Sequence, residues 1–402
     1  MAGVLRTVGH PVALAAIRAM LAGHAAHAVL LAGPPAVGKT TLALDLAAGL
    51  LCVGATGADR PCRACRGCRL VEHGNHPDLH RLAPGGAGQQ ISIGGKDVRG
   101  IRDVVSELAL LPVEGGWRVA LLEGAHRMND DAQSALLKTL EEPPAGATLI
   151  LCADDEDRLL PTVRSRCVTV RLGPVPARDV ERLVVERGLA DAPTGARLAR
   201  LTSGRPGLAL AYAEQPEAET VRTELVRTLI DLLAVSPSER LAAGRGLVTR
   251  AAELGALLTP PPVVEAPPAR GRRGAASARE APVGEPAADE PAEPAEPVED
   301  EAMRSRVPAA ERRRALGLLI GLWRDLARDL AVVAADGAGT SVREVRALEE
   351  LERAASAIPA GAAAAALTRL LRAGELLDAN VSPELLLDVL LIRWPSTSRA
   401  AA

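Results

Sequence analysis

The chain has 402 residues, 48% of them hydrophobic, with a formal charge of -3 and a pI near 6.2. Phe is absent and there are only one Tyr and three Trp, so Leu, Val and Ala must build the core. This composition argues against an aromatic base-stacking platform, and the charge against a strongly basic nucleic-acid binder, although a local basic patch fits a neutral total. At ~150 residues per domain the length predicts two or three domains, each large enough for a real core. No apolar run reaches the ~18 residues of a membrane span. The start of the chain lacks a charged-then-apolar leader pattern, which gives a cytosolic expectation.

The first predicted strand covers residues 28–32 and runs into Gly33-Pro-Pro-Ala-Val-Gly38-Lys39-Thr40, a complete G-x-x-x-x-G-K-[ST] phosphate loop, with a helix predicted over 41–51. In that setting backbone N–H groups between Gly33 and Gly38, extending to Thr41 at the helix start, can cradle phosphate oxygens. Lys39 reaches the outer phosphates and Thr40 ligates magnesium. The loop therefore predicts ATP or ADP with Mg as a bound ligand.

Cys62, Cys65 and Cys68 follow at C-x-x-C-x-x-C spacing, ten positions after Cys52, while Cys152 and Cys167 lie far off. In a reducing compartment four thiols so close favour a metal over disulfides, and tetrahedral structural zinc wants four such ligands. An iron–sulfur cluster is the rival, but the ferredoxin run places its fourth Cys four positions after the third, where this chain has Glu72. His73, His76 and His80 are nearby alternatives to Cys52 as the fourth ligand.

Val98, Ile101, Val104, Val105 and Leu108 keep helical spacing, and an apolar strand is predicted over 117–122. ATPases of this class end that strand in paired acids, one near magnesium and one that orients the attacking water. Here it ends in Glu123-Gly124-Ala125-His126. Glu123 can sit near a metal through water, but Gly124 offers no carboxylate to polarise water. A helix over 130–142 is capped by Asn129 and stopped by Pro143-Pro144, and strands follow over 148–152 and 168–172. Strands alternating with helices after a phosphate loop predict an α/β fold with a parallel sheet and its ligand at the carboxyl edge. Short helical patterns fill 176–213. Beyond them the chain reads as helical except over 259–303, a Pro-, Ala- and Glu-rich stretch that predicts a disordered, self-repelling tether.

Four features together resemble the bacterial clamp-loader subunits of the AAA+ superfamily: the phosphate loop, the cysteine quartet, Ala135-Leu-Leu-Lys-Thr-Leu-Glu-Glu-Pro-Pro144 and Ser165-Arg166-Cys167. The resemblance spans residues 7–210 and continues only as general helical character. It implies an AAA+ P-loop parallel-sheet domain over 1–172 with a zinc module at 52–68, and a small helical lid over 173–216. It also implies an all-α collar over 217–258 and 304–402, interrupted by the 259–303 insert. Partners implied are gamma/tau and delta subunits, the sliding clamp and primed DNA. Against the hydrolysing gamma and tau subunits this chain departs three times: Glu123-Gly124 replaces Asp-Glu, Ala153-Asp154 replaces a sensor threonine, and Gly207 replaces the lid arginine of Gly-x-x-Arg-x-Ala-Leu. Those losses match the stationary, non-hydrolysing member of the ring. In the family the Ser-Arg-Cys arginine, here Arg166, enters a neighbour's ATP site as an arginine finger. The competing expectations are a motor in which Glu123 serves for both acids and, more remotely, a metal-dependent DNA repair ATPase.

Overall fold

The structure is a computed structural model that describes residues 3–23, 25–85, 90–95, 98–114, 116–259, 308–335, 341–379 and 381–397. The 259–303 tether falls, beyond Thr259, outside the described residues.

Among the described residues five strands form one parallel sheet in the order β2-β3-β4-β1-β5: β1 (Ala28–Ala32), β2 (Leu79–Leu82), β3 (Arg118–Leu122), β4 (Ala147–Ala153) and β5 (Val168–Arg171). All residues of β1, β3 and β4 are buried, as expected of strands covered by helices on both faces. Helices α1 (Pro11–Ala22), α2 (Lys39–Leu50) and α3 (Arg66–Glu72) come early. They are followed by α4 (Ile101–Leu108), α5 (Asp130–Glu141) and the short α6 (Pro161–Arg164). One apolar layer, from Ile17, Leu42 and Leu46 to Val119 and Ile150, packs α1 and α2 on one face. The other, from Leu30 and Ile101 to Leu136 and Leu151, packs α4 and α5 on the opposite face.

The strands at 28–32, 117–122, 148–152 and 168–172 lie where the sequence predicts them, and the Asn129 side chain caps α5 by accepting from the Ala132 N–H at 2.9 Å. β2 is a strand the sequence reading lacks. Its four residues, Leu-His-Arg-Leu, are too few and too polar to carry an alternation signal, and only pairing with β3 makes them extended.

From Val175 onward a third apolar core runs through the helices α7 (Ala177–Glu186), α8 (Ala192–Thr202), α9 (Pro206–Glu214), α10 (Pro216–Asp231) and α11 (Pro237–Leu258). It continues into α12 (Ala309–Ala334), α13 (Leu348–Ala357), α14 (Ala362–Asp378) and α15 (Pro383–Ile392). Two of the rare aromatics anchor it: Trp323 and Trp394 lie 5.1 Å apart between ring centroids, and the Trp394 indole donates to the Leu229 carbonyl at 3.0 Å. Arg240, fully buried, donates to the Trp394 carbonyl at 2.5 Å and the Pro395 carbonyl at 3.1 Å, so the end of α15 is tied to α11. No single helix among the described residues is long and apolar enough to cross a membrane.

Candidate nucleotide site and cysteine cluster

The parallel register decides what meets at the carboxyl edge of the sheet. Ala32 pairs with Ala153 and Leu122 with Leu151, so Gly33, Glu123 and Asp154 leave their strands side by side. The phosphate loop bends there because Gly33 and Gly38 take φ +149° and +106°, and a Cβ at Gly33 would stand 2.0 Å from the Leu172 carbonyl oxygen. The loop is pinned from outside as well. The ring Nε2 of His10 lies 2.9 Å from the Val37 carbonyl, and the Gly207 N–H at the start of α9 donates to the Ala36 carbonyl at 3.0 Å. Lys39 is buried, Thr40 half-buried and Thr41 exposed, all at the first turn of α2.

Around this loop the polar groups satisfy one another. The Lys39 ammonium donates to the carbonyls of Gly33 and Pro34 at 2.6 Å each and pairs with Asp154 at 2.7 Å. His126 is buried and accepts at Nδ1 from the Asp154 N–H at 3.1 Å, while its Nε2 lies 3.8 Å from the Asp154 carboxylate. Burial lowers its pKa below the ordinary 6.5, against the pull of Asp154. Glu123 is engaged by Arg81 of β2 at 2.6 Å and 3.1 Å. Gly124 sits at φ +64°, and a Cβ there would come within 2.8 Å of Pro84. The missing acid therefore has a steric as well as a chemical side: any side chain at 124 demands both a left-handed backbone and room that Pro84 occupies. Arg205, two positions before Gly207, turns away from the loop, donating to the Thr202 carbonyl at 2.8 Å and lying 3.9 Å from Asp325 of α12.

The four cysteines converge. Cys52 follows the end of α2, Cys65 caps α3 and Cys68 lies in its first turn. The sulfurs of Cys52, Cys62, Cys65 and Cys68 all lie within 4.8 Å of one another, with Cys65 and Cys52 at 3.9 Å. Tetrahedral zinc at ~2.3 Å from each sulfur requires sulfurs roughly 3.8 Å apart, so the donor set fits one zinc ion. A multi-iron cluster, in which each thiolate takes a different iron, needs them spread further. Burial opposes ionisation of Cys65, but the backbone N–H groups of Cys68 and Val53 and the neighbouring thiols outweigh it and bring its pKa to about 6. Hydrogen bonds from the backbone at Ala64 and Cys65 also lower Cys62, whereas burial pushes Cys68 up. None of the three alternative histidines joins the sulfurs. His76 accepts from the Asp78 N–H at 3.1 Å, His80 pairs with Glu107 at 2.9 Å, and His73 ends α3.

Arg166 lies just beyond α6, some distance along the chain from both clusters. Its side chain is 36% exposed, ion-paired with Glu141 at 2.7 Å and donating to the Thr162 carbonyl at 3.0 Å. Two of these pairings, Lys39 with Asp154 and Glu123 with Arg81, are absent from the sequence reading. Only the strand register reveals them.

A parallel five-stranded sheet with a phosphate loop after its β1 strand, a four-cysteine insert and trailing helices defines a P-loop α/β module. Residues 11–176 match the family model described as "DNA polymerase III, delta subunit". The chain is 40% identical over 197 residues to DNA polymerase III subunit delta' of Pseudomonas aeruginosa, covering 48% of this chain and 57% of that one. To the Escherichia coli subunit delta' it is 37% identical over 191 residues, covering 47% and 55%. To Escherichia coli subunit tau it is 30% identical over 220 residues, covering 52% and 33%. Over this first region the chain is similar to DNA polymerase III delta' subunits. It spans rather more than half the length of these delta' relatives.

Proposed function

We propose that this chain is the stationary, non-hydrolysing delta-prime subunit of a bacterial clamp loader in the cytoplasm. It would join gamma/tau and delta subunits through its collar, and the assembled complex would open the sliding clamp and place it on primed DNA. In this reading 1–172 is the nucleotide module, 173–216 the lid, and 217–258 with 304–402 the collar. The observation that carries the reading is Gly124, whose backbone at φ +64° and packing against Pro84 leave no place for a water-activating carboxylate. Glu123 is no substitute while Arg81 holds it.

Gly33, Gly38, Lys39, Thr40 and Thr41 would hold ATP or ADP statically, with magnesium on Thr40, which would stabilise the module without turnover. Cys52, Cys62, Cys65 and Cys68 would hold structural zinc, which fixes α3 against the end of α2. Arg166 is the group with work left to do. A half-exposed guanidinium paired with the half-exposed Glu141 carboxylate can exchange it for the phosphate oxygens of a neighbouring subunit's ATP. The complete phosphate loop supports the rival reading, an active motor subunit, so the isolated chain decides between them. Purified protein is expected to bind nucleotide without turnover above background, and to co-purify with gamma/tau and delta partners. Robust hydrolysis abolished by Lys39→Ala would instead select the motor.

A further inference from the structure

We propose that Asp154 is an internal counter-ion that competes with nucleoside triphosphate for Lys39, and so sets the affinity of the phosphate loop. The inference rests on reading that loop as a nucleotide site and deepens it.

An ammonium has three N–H donors and no more. In Lys39 two are taken by the Gly33 and Pro34 carbonyls at 2.6 Å each, and the ammonium is ion-paired with the Asp154 carboxylate at 2.7 Å. The side chain is 7% exposed, so solvent does little to loosen it. Phosphate oxygens that approach Lys39 compete with these partners for the ammonium. The carboxylate is the partner whose like charge would then lie beside the incoming phosphate.

Asp154 does not stand there by accident of a mobile side chain. It is the first residue after β4, whose last residue pairs in register with the last of β1, and the Gly33 N–H donates to the Ala153 carbonyl at 3.1 Å. Its own N–H is bound by His126 at 3.1 Å. Both ends of the ion pair are thus fixed by the sheet that carries the loop. A neutral side chain at 154 frees the ammonium of its counter-ion and removes one negative charge from the site. At the short separations of a partly buried pocket that is worth at least about tenfold in affinity for a highly charged ligand.

The test is equilibrium binding of fluorescent ATP and ADP, with magnesium, to the full chain and to Asp154→Asn and Asp154→Thr. The second, smaller replacement serves should the amide variant fail to fold, as judged by its melting profile. Both variants are expected to bind ATP at least about tenfold more tightly than the unaltered chain, with Lys39→Ala abolishing the gain. Equal affinities in the unaltered chain and the variants would overturn the proposal. So would absence of binding in all of them. ATP turnover is recorded in the same samples: hydrolysis by the unaltered chain would refute the non-hydrolysing reading while leaving the counter-ion intact.

Discussion

Adding one methyl group at Gly124 isolates the steric part of the account. Gly124→Ala places a Cβ on a residue at φ +64°, a conformation that costs an ordinary L-residue about 1–2 kcal/mol. The same Cβ would lie 2.8 Å from Pro84 Cγ, and relieving such overpacking typically costs about 1–3 kcal/mol more. The sum, about 2–5 kcal/mol, corresponds to roughly 4–20 °C in the melting of a module of this size. Pro84→Ala removes the ring but not the backbone strain, so in the double variant only the overpacking share returns, as a coupling of about 1–3 kcal/mol. Thermal and urea unfolding of the four proteins in this cycle measure both shares. Should Gly124→Ala melt within 1 °C or so of the unaltered chain, the claim that the site has no room for an acid is wrong. Gly124→Glu is expected to be destabilised in the same way and to gain no hydrolysis.

Further outcomes follow from other groups. Asp45 is buried and accepts from the N–H groups of Arg6 and Thr7 at 3.0 Å and 2.9 Å, from the Thr7 hydroxyl at 2.7 Å, and from Arg63. Asp45→Ala leaves these donors stranded and should cost about 3–5 kcal/mol in urea unfolding; a loss below about 1 kcal/mol would show that they find other partners. Metal analysis should give one zinc per chain and a colourless protein, with zinc lost in Cys65→Ser; visible absorption from an iron–sulfur cluster would contradict the tetrahedral fit. His76, His80 and His126 all have pKa values lowered from 6.5 by burial. The unfolded chain therefore binds more protons below pH 6.5, so stability is complete above that value and declines as pH falls through the folded-state pKa values. Urea midpoints at pH 7.5 and 5.5 should show the fall, reduced in His126→Gln; equal midpoints would refute the burial argument.

What the sequence discloses here is what neighbours in sequence decide. The phosphate loop, the cysteine spacing and the Asn129 cap are local patterns, and the strands of β1, β3 and β4 are continuous apolar runs that only a doubly covered sheet explains. β2 lacked both length and apolar content. Gly124 was readable as a missing acid, yet its clash with Pro84 depends on a loop 40 residues earlier in the chain, returning across β3. The pairing of Asp154 with Lys39 required the register of β4 on β1, and that of Glu123 with Arg81 required a strand the sequence did not announce. Asp154 drew notice as the lack of a sensor threonine. Its positive role, holding the lysine, is a property of the fold.

The central claim is that this chain acts on another subunit's nucleotide through Arg166. The most direct measurement is DNA- and clamp-stimulated ATP hydrolysis by a complex reconstituted with gamma/tau, delta and either the unaltered chain or Arg166→Ala. An arginine finger is worth on the order of 1000-fold at the site it serves. Hydrolysis at that site should therefore vanish from the total while the variant complex still assembles at the same stoichiometry. Unchanged stimulated hydrolysis in the assembled Arg166→Ala complex would contradict the account.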